Sequence, residues 1–178
     1  MKTGWVVATL VASLVAFSSA VRVSAEQGRT GPITAFAQAI LNEHNRARDE
    51  AGVPRLQWSG KLAGEAQRWA ETLAFEGWLR HSSRGESGGA GENLWMGTAG
   101  YYGPEAMIGA FVDEKRHYLH GTFPRVSRTG RWEDVGHYTQ IVWRNTREVG
   151  CAVGRNGRDD FLVCRYWPSG NWMGQAPF

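Results

Sequence analysis

Two short strand-like runs, Val149–Val153 and Phe161–Tyr166, flank an Asn156-Gly157 pair, one of the strongest short-range signals for a hairpin. Each run carries one of the chain's two cysteines. A four-residue loop, Asn156 to Asp159, sets Arg155 opposite Asp160 and Cys151 opposite Cys164, whereas a two-residue loop sets Cys151 opposite Leu162. The first register suits a bridge, which on the chain-entropy model contributes about 3 kcal/mol. No other pair of segments fixes its own geometry so tightly.

A bridge also needs an oxidising compartment, and the amino-terminal segment predicts one. Lys2 supplies a positive start, Trp5 to Ala20 carries no charge, and Val23-Ser24-Ala25 offers small residues before Glu26. This pattern predicts a signal peptide over residues 1–25, cleaved after Ala25 in preference to Ala20, and a secreted, extracellular protein. Residues 26–33 are polar and Gly-containing and are expected to be a flexible mature N-terminus, with one domain over 34–178. No later segment has the roughly 20 apolar residues of a membrane span, so none is expected in the mature protein.

Composition sets the class. Of 178 residues, 42% are hydrophobic, nine are Trp and only 21% are charged, which suits one packed core and argues against a disordered chain. The formal charge of +3 loses Lys2 and Arg22 with the signal segment, and no run of Lys and Arg remains to track phosphates. Nucleic acid is therefore not an expected partner.

Phe36, Ile40, Leu41, His44 and Ala47 recur at helical spacing until Gly52 and Pro54, with His44 and Arg48 on one face in a structural role. A second helix starts after Ser59, carries Leu62, Ala66, Trp69, Ala70 and Leu73 on one stripe and stops at Gly77. Residues 78–103 are Gly-rich without a clear period and read as a long loop. A third helix begins at Pro104, with Ala106, Met107, Ala110, Phe111, Glu114 and Tyr118 on one face. His137–Trp143, rich in β-branched and aromatic residues, reads as a strand. Helices first and strands late predict an α+β fold with an antiparallel sheet covered by helices.

Two histidines have carboxylates placed to converge on them: His81 with Glu92, and His137 with Glu114. Two imidazoles and two carboxylates can hold a divalent metal or exchange protons. A competing set, Glu114, His117 and His120, would share a face if the third helix continued. Ser82, beside His81, is the one hydroxyl worth naming as a candidate nucleophile, and no nucleophile elbow or phosphate loop occurs.

These segments resemble the CAP superfamily of cysteine-rich secretory proteins, venom allergens and plant pathogenesis-related proteins, closest in pattern to the plant group. The run Gly136-His137-Tyr138-Thr139-Gln140-Ile141-Val142-Trp143-Arg144-Asn145-Thr146 looks like the family's first signature, and Phe161 to Trp172 like its second. His44-Asn45-Arg46-Ala47-Arg48 and Gly91-Glu92-Asn93-Leu94 resemble the two shorter motifs. The resemblance implies a three-layer α-β-α sandwich with a central antiparallel sheet, the CAP or SCP domain. It places the family's cleft tetrad on His81, Glu92, Glu114 and His137, with His81 and His137 as ligands to zinc or another divalent metal.

The resemblance implies a non-enzymatic secreted protein that binds sterol or another lipid and acts in defence or interaction with other organisms. A metal-dependent hydrolase or peptidase using the same tetrad, with Glu92 or Glu114 as base, and a protein-interaction module are the alternatives. Tyr118, Phe123 and Trp132 fall near the sterol-associated segment of some relatives. Plant members usually carry six cysteines and this chain has two, Cys151 and Cys164; Arg165 stands where Asn is commoner. Pro168–Phe178 looks like a segment released as a peptide in some relatives, or else packs as the end of the domain with Trp172 buried.

Overall fold

A computed structural model describes Met1 and residues 33–178. The expected signal peptide and nearly all of the expected flexible N-terminus lie outside the described residues. Helix α1 spans Ala35–Glu50, and the Thr34 hydroxyl accepts the Ala37 amide at its start (3.1 Å). It stops where Gly52 turns left-handed (φ 66°) ahead of Pro54. Strand β1 is the pair Gln57–Trp58, and α2 runs Gly60–Glu76, closed by left-handed Gly77, whose amide reaches Leu73 O (2.8 Å). The predicted stripe of α2, Leu62, Ala66, Trp69, Ala70 and Leu73, is buried.

The Gly-rich segment is not one long loop. It holds a single-turn helix α3, Arg84–Ser87, and an eight-residue strand β2, Gly91–Thr98. Helix α4 covers Pro104–Val112 and then tightens into a 3₁₀ turn at Asp113–His117. It buries Met107, Ile108, Phe111 and Val112, while Ala106 and Ala110 face outward, so its apolar stripe is rotated from the predicted one. After a second 3₁₀ turn, Trp132–Val135, the predicted strand at 137–143 is instead a helix, α5, over Gly136–Ile141. Tyr138, Thr139, Gln140 and Ile141 are all buried, so the run lacks the polar face that would have disclosed a helical period.

Strands β3, Glu148–Arg155, and β4, Asp159–Trp167, complete a four-stranded sheet in the order β1-β3-β4-β2. The β3–β4 register pairs Arg155 with Asp160 and Cys151 with Cys164, the four-residue-loop alternative, and the two cysteines are bridged. β2 runs antiparallel to the other side of β4, and only the two-residue edge strand β1 runs parallel to its neighbour, β3.

Helices cover both faces, which makes the three-layer α-β-α arrangement. α2 lies on β3 and β4, sealing Leu94, Ala152, Phe161 and Val163. α1, α4 and α5 pack on the opposite face against Val149, Cys151, Leu162, Cys164 and Tyr166. With both faces covered, β4 is buried without interruption from Asp160 to Tyr166. Among the described residues no helix is long and apolar enough to cross a membrane.

Candidate functional site

The end of the sheet where β2 starts brings the four predicted residues together as two pairs. On β2, Glu92 lies opposite Arg165 of β4, and its carboxylate is the hub of the first pair. Glu92 Oε1 accepts His81 Nδ1 (2.6 Å) and the Ser82 amide (3.0 Å); Oε2 accepts the Ser82 hydroxyl (2.9 Å) and lies 3.2 Å from Arg165 Nη2. Arg165 Nη1 in turn donates to the Ser82 hydroxyl (2.9 Å). Burial pushes the Glu92 carboxyl up, but the donors of His81, Arg165 and Ser82 together outweigh it and hold the group below the usual carboxylate range.

The second pair closes through the turn after α4. Glu114 Oε1 accepts His137 Nδ1 (2.6 Å), and Oε2 accepts the backbone amides of His137 (2.9 Å) and Tyr138 (3.1 Å). Glu114 thus caps the first turn of α5 from outside, supplying a carboxylate where the helix exposes unpaired N–H groups. The His137 ring also stacks on Phe111 (centroids 4.6 Å apart), and its carbonyl accepts Asn93 Nδ2 (3.1 Å). Each imidazole therefore donates from Nδ1 to a carboxylate and has no hydrogen-bond partner at Nε2 among the described residues, the arrangement of a metal-binding histidine with its orienting acid.

His81, Glu92 and His137 line one cleft of about 390 Å³. Phe123, Trp132 and Met173 supply its apolar wall. No three ligand atoms of the tetrad lie mutually within 4.8 Å, so the site is two histidine–carboxylate pairs across a cleft rather than a closed cage. Two imidazole nitrogens are suitable donors for a borderline-soft ion such as zinc, with other positions left to water or a ligand.

The competing set is not assembled. Glu114 is turned to His137, His117 Nε2 accepts from Arg116 Nε (3.0 Å), and His120 packs edge-on against Tyr118 and Phe178. Ser82 bridges Glu92 and Arg165, and its hydroxyl proton is donated to the Glu92 carboxylate rather than to an imidazole. His44 lies within 4.8 Å of both cysteine sulfurs, but the sulfurs are spent in the disulfide and the imidazole is hydrogen-bonded at both nitrogens, so this cluster is no metal centre.

Sequence reasoning did not place Arg165 or Asn93 in the site. Arg165 was legible in principle: Phe161, Val163 and Arg165 alternate onto the α2 face of β4, and a buried cation there needs a carboxylate on the adjoining strand. The end segment packs on the cleft, with Gly170 N donating to Gln140 Oε1 (2.9 Å) and Asn171 Nδ2 to Gly136 O (2.9 Å). Trp172 is 48% exposed rather than buried.

Comparisons with known proteins place this geometry. A sequence model of the Cysteine-rich secretory protein family, CAP, matches residues 41–166. Pathogenesis-related protein 1A of Nicotiana tabacum is 37% identical over 142 residues, covering 79% of this chain and 80% of its own. Pathogenesis-related leaf protein 4 of Solanum lycopersicum is 39% identical over 142 residues, 79% of this chain and 82% of its own. Among solved structures, NaASP2 with Zn2+ matches with a TM-score of 0.68 at 22% identity, over 83% of this chain and 90% of that one. Venom allergen-like protein 4 of Schistosoma mansoni matches with a TM-score of 0.61 at 20% identity, over 80% and 97%. The solved structures share the fold.

Proposed function

The chain belongs to the cysteine-rich secretory protein family, CAP, and from that premise we propose that it is a secreted, defence-related binding protein whose cleft holds a divalent metal ion on His81 and His137. The observation that carries this reading is the pair of imidazoles with Nδ1 tied to Glu92 and Glu114 and Nε2 left to ligate. NaASP2, of the same fold, was solved with Zn2+. A bound ion would supply positive charge in the cleft and open coordination positions.

Binding fits the carboxylates better than hydrolysis does. Glu114 is committed to three donors at the start of α5. Glu92 is committed to His81, Ser82 and Arg165 and is held below the usual carboxylate range, which makes it a weak general base. A sterol or other lipid is the second reading, favoured by the apolar wall of Phe123, Trp132 and Met173 beside the polar pairs.

Calorimetric titration with zinc tests the metal. The purified, oxidised protein should bind near 1:1, and His81→Ala and His137→Ala should each abolish the saturable heat. Equal heats for wild type and both variants would refute the site. Adding a labelled sterol with zinc present and then chelated shows whether lipid uptake is coupled to it.

A further inference from the structure

The histidine cleft does not stop at His81. A second cavity of about 370 Å³ shares His81 and Glu92 with the first, and a third of about 320 Å³ shares Arg84, Gly89, Ser169 and Trp172 with the second. Together they make one trough that leaves the tetrad and runs between α3 and the segment after β4. Trp167 and Trp172 are roughly half exposed in its far arm. Gly88 and Gly89 are both left-handed (φ 58° and 82°), so that part of the floor carries no side chains.

Both aromatic rings hang on an immobilised backbone. Trp172 spends its indole N–H on Ser169 O (2.9 Å). Asn171 beside it accepts from Thr139 Oγ1 (2.8 Å) and donates to Gly136 O (2.9 Å), and Gly170 is tied to Gln140. The segment is thus clamped to α5 while the Trp172 face stays open. An exposed aromatic pair held this firmly within one cavity is a surface prepared for a ligand.

We propose that this arm, walled by Trp167 and Trp172 and edged by Arg84 and Ser169, binds an oligosaccharide. A pyranose ring has an apolar C–H face that stacks on an indole and a rim of hydroxyls that needs donors and acceptors of the Arg84 and Ser169 kind. A lipid tail needs an enclosed apolar wall, and this arm is open and half polar. A peptide that docks by strand addition needs a free edge, and the strand entering the arm, β4, has both edges taken by β2 and β3; a proline-rich peptide, which docks on aromatic grooves without one, is the competitor in the test. The chained cavities give room for several sugar units. This goes beyond the metal reading and does not depend on it.

The test is calorimetry of the purified, oxidised protein with hexasaccharides of β-1,3-linked glucose, β-1,4-linked glucose and β-1,4-linked N-acetylglucosamine, and with a proline-rich hexapeptide. At least one sugar should bind saturably and more tightly than its disaccharide. Trp172→Ala should weaken it at least tenfold, and Trp172→Tyr, which keeps an aromatic face, should weaken it less. An unchanged unfolding temperature and zinc titration in Trp172→Ala, compared with wild type, separate loss of the platform from loss of the fold or of the metal site. No heat with any of the three sugars, unchanged sugar affinity in Trp172→Ala, or binding of the peptide alone would each overturn the proposal.

Discussion

His44 and Arg48, one turn apart on α1, are both fully buried, and their surroundings explain why two polar residues sit in a core. Among the described residues Arg48 meets no carboxylate; it donates to the carbonyls of Pro54, Ile141, Trp143 and Thr146, tying α1 to α5 and the loop that follows it. His44 lies in a chain of donors: Asn93 Nδ2 donates to Tyr166 Oη (3.1 Å), which donates to His44 Nε2 (2.8 Å), and His44 Nδ1 donates to Ile40 O (2.8 Å). Burial pulls the imidazole down from 6.5 to about 4; the Ile40 carbonyl opposes this and the Arg48 charge adds to it. The unfolded chain therefore takes up a proton below about pH 6.5 that the folded chain refuses until about pH 4. Stability from this residue is intact above pH 6.5 and drains as the pH falls towards 4, by about 3 kcal/mol in all. In urea titrations, wild type should lose about that much more than His44→Gln, which carries no titrating group, between pH 7 and pH 4. Parallel pH profiles would show that His44 is not held neutral. The structural role was legible in the spacing of the two residues; their partners were not, because Tyr166 lies 122 positions away in the chain.

At the scale of elements, legibility followed the local period. α1 and α2 announce themselves by an apolar stripe and a left-handed glycine stop, and β3 and β4 by their turn. β2 and α5 did not, for opposite reasons. β2 contains Gly91 and Gly97, which lower strand propensity, and each sits at a close approach: a Cβ at Gly91 would meet the Gln140 amide, and one at Gly97 the Trp95 ring, so either side chain would have to shift. α5 is β-like in composition and six residues long, and Glu114, 23 positions away from His137, completes its first turn. That the His/Glu pairs form one site depends on these two elements, so spacing alone could only suggest it. The packing of α2 on the sheet rests on glycines of the same kind. A Cβ at Gly150 would meet the backbone of Ser59, Leu62 and Ala63, and one at Gly154 the backbone of Ala70 and Glu71, none of which can rotate aside. Gly150→Ala and Gly154→Ala should each cost about 2–3 kcal/mol by urea unfolding, whereas Gly64→Ala, inside α2 with nothing near its Cβ, should gain up to about 1 kcal/mol. A neutral result at Gly150 and Gly154 would mean that α2 stands farther from β3 than described.

For the whole molecule, the three layers decide how the single disulfide behaves. Cys151 and Cys164 face each other across the central strands, on the face covered by α1, α4 and α5, and both are buried. A thiolate must reach one sulfur along the S–S axis to reduce the bond, and in the folded protein His44 and the core of α1 stand over it. Here one bridge at the centre is protected by the fold it helps to hold. Reduction should therefore be gated by global unfolding rather than by loop motion. With excess dithiothreitol in native buffer, alkylation followed by mass measurement should find both cysteines still paired after hours. Added urea should accelerate their exposure in step with the unfolding rate measured independently by tryptophan fluorescence. Rapid reduction without denaturant would show that α1 lifts from the sheet on its own and that the layers do not open as one unit. The bridge and the layers support each other: the bridge restrains the unfolded chain by about 3 kcal/mol on the chain-entropy model, and the helices keep reductant away from it.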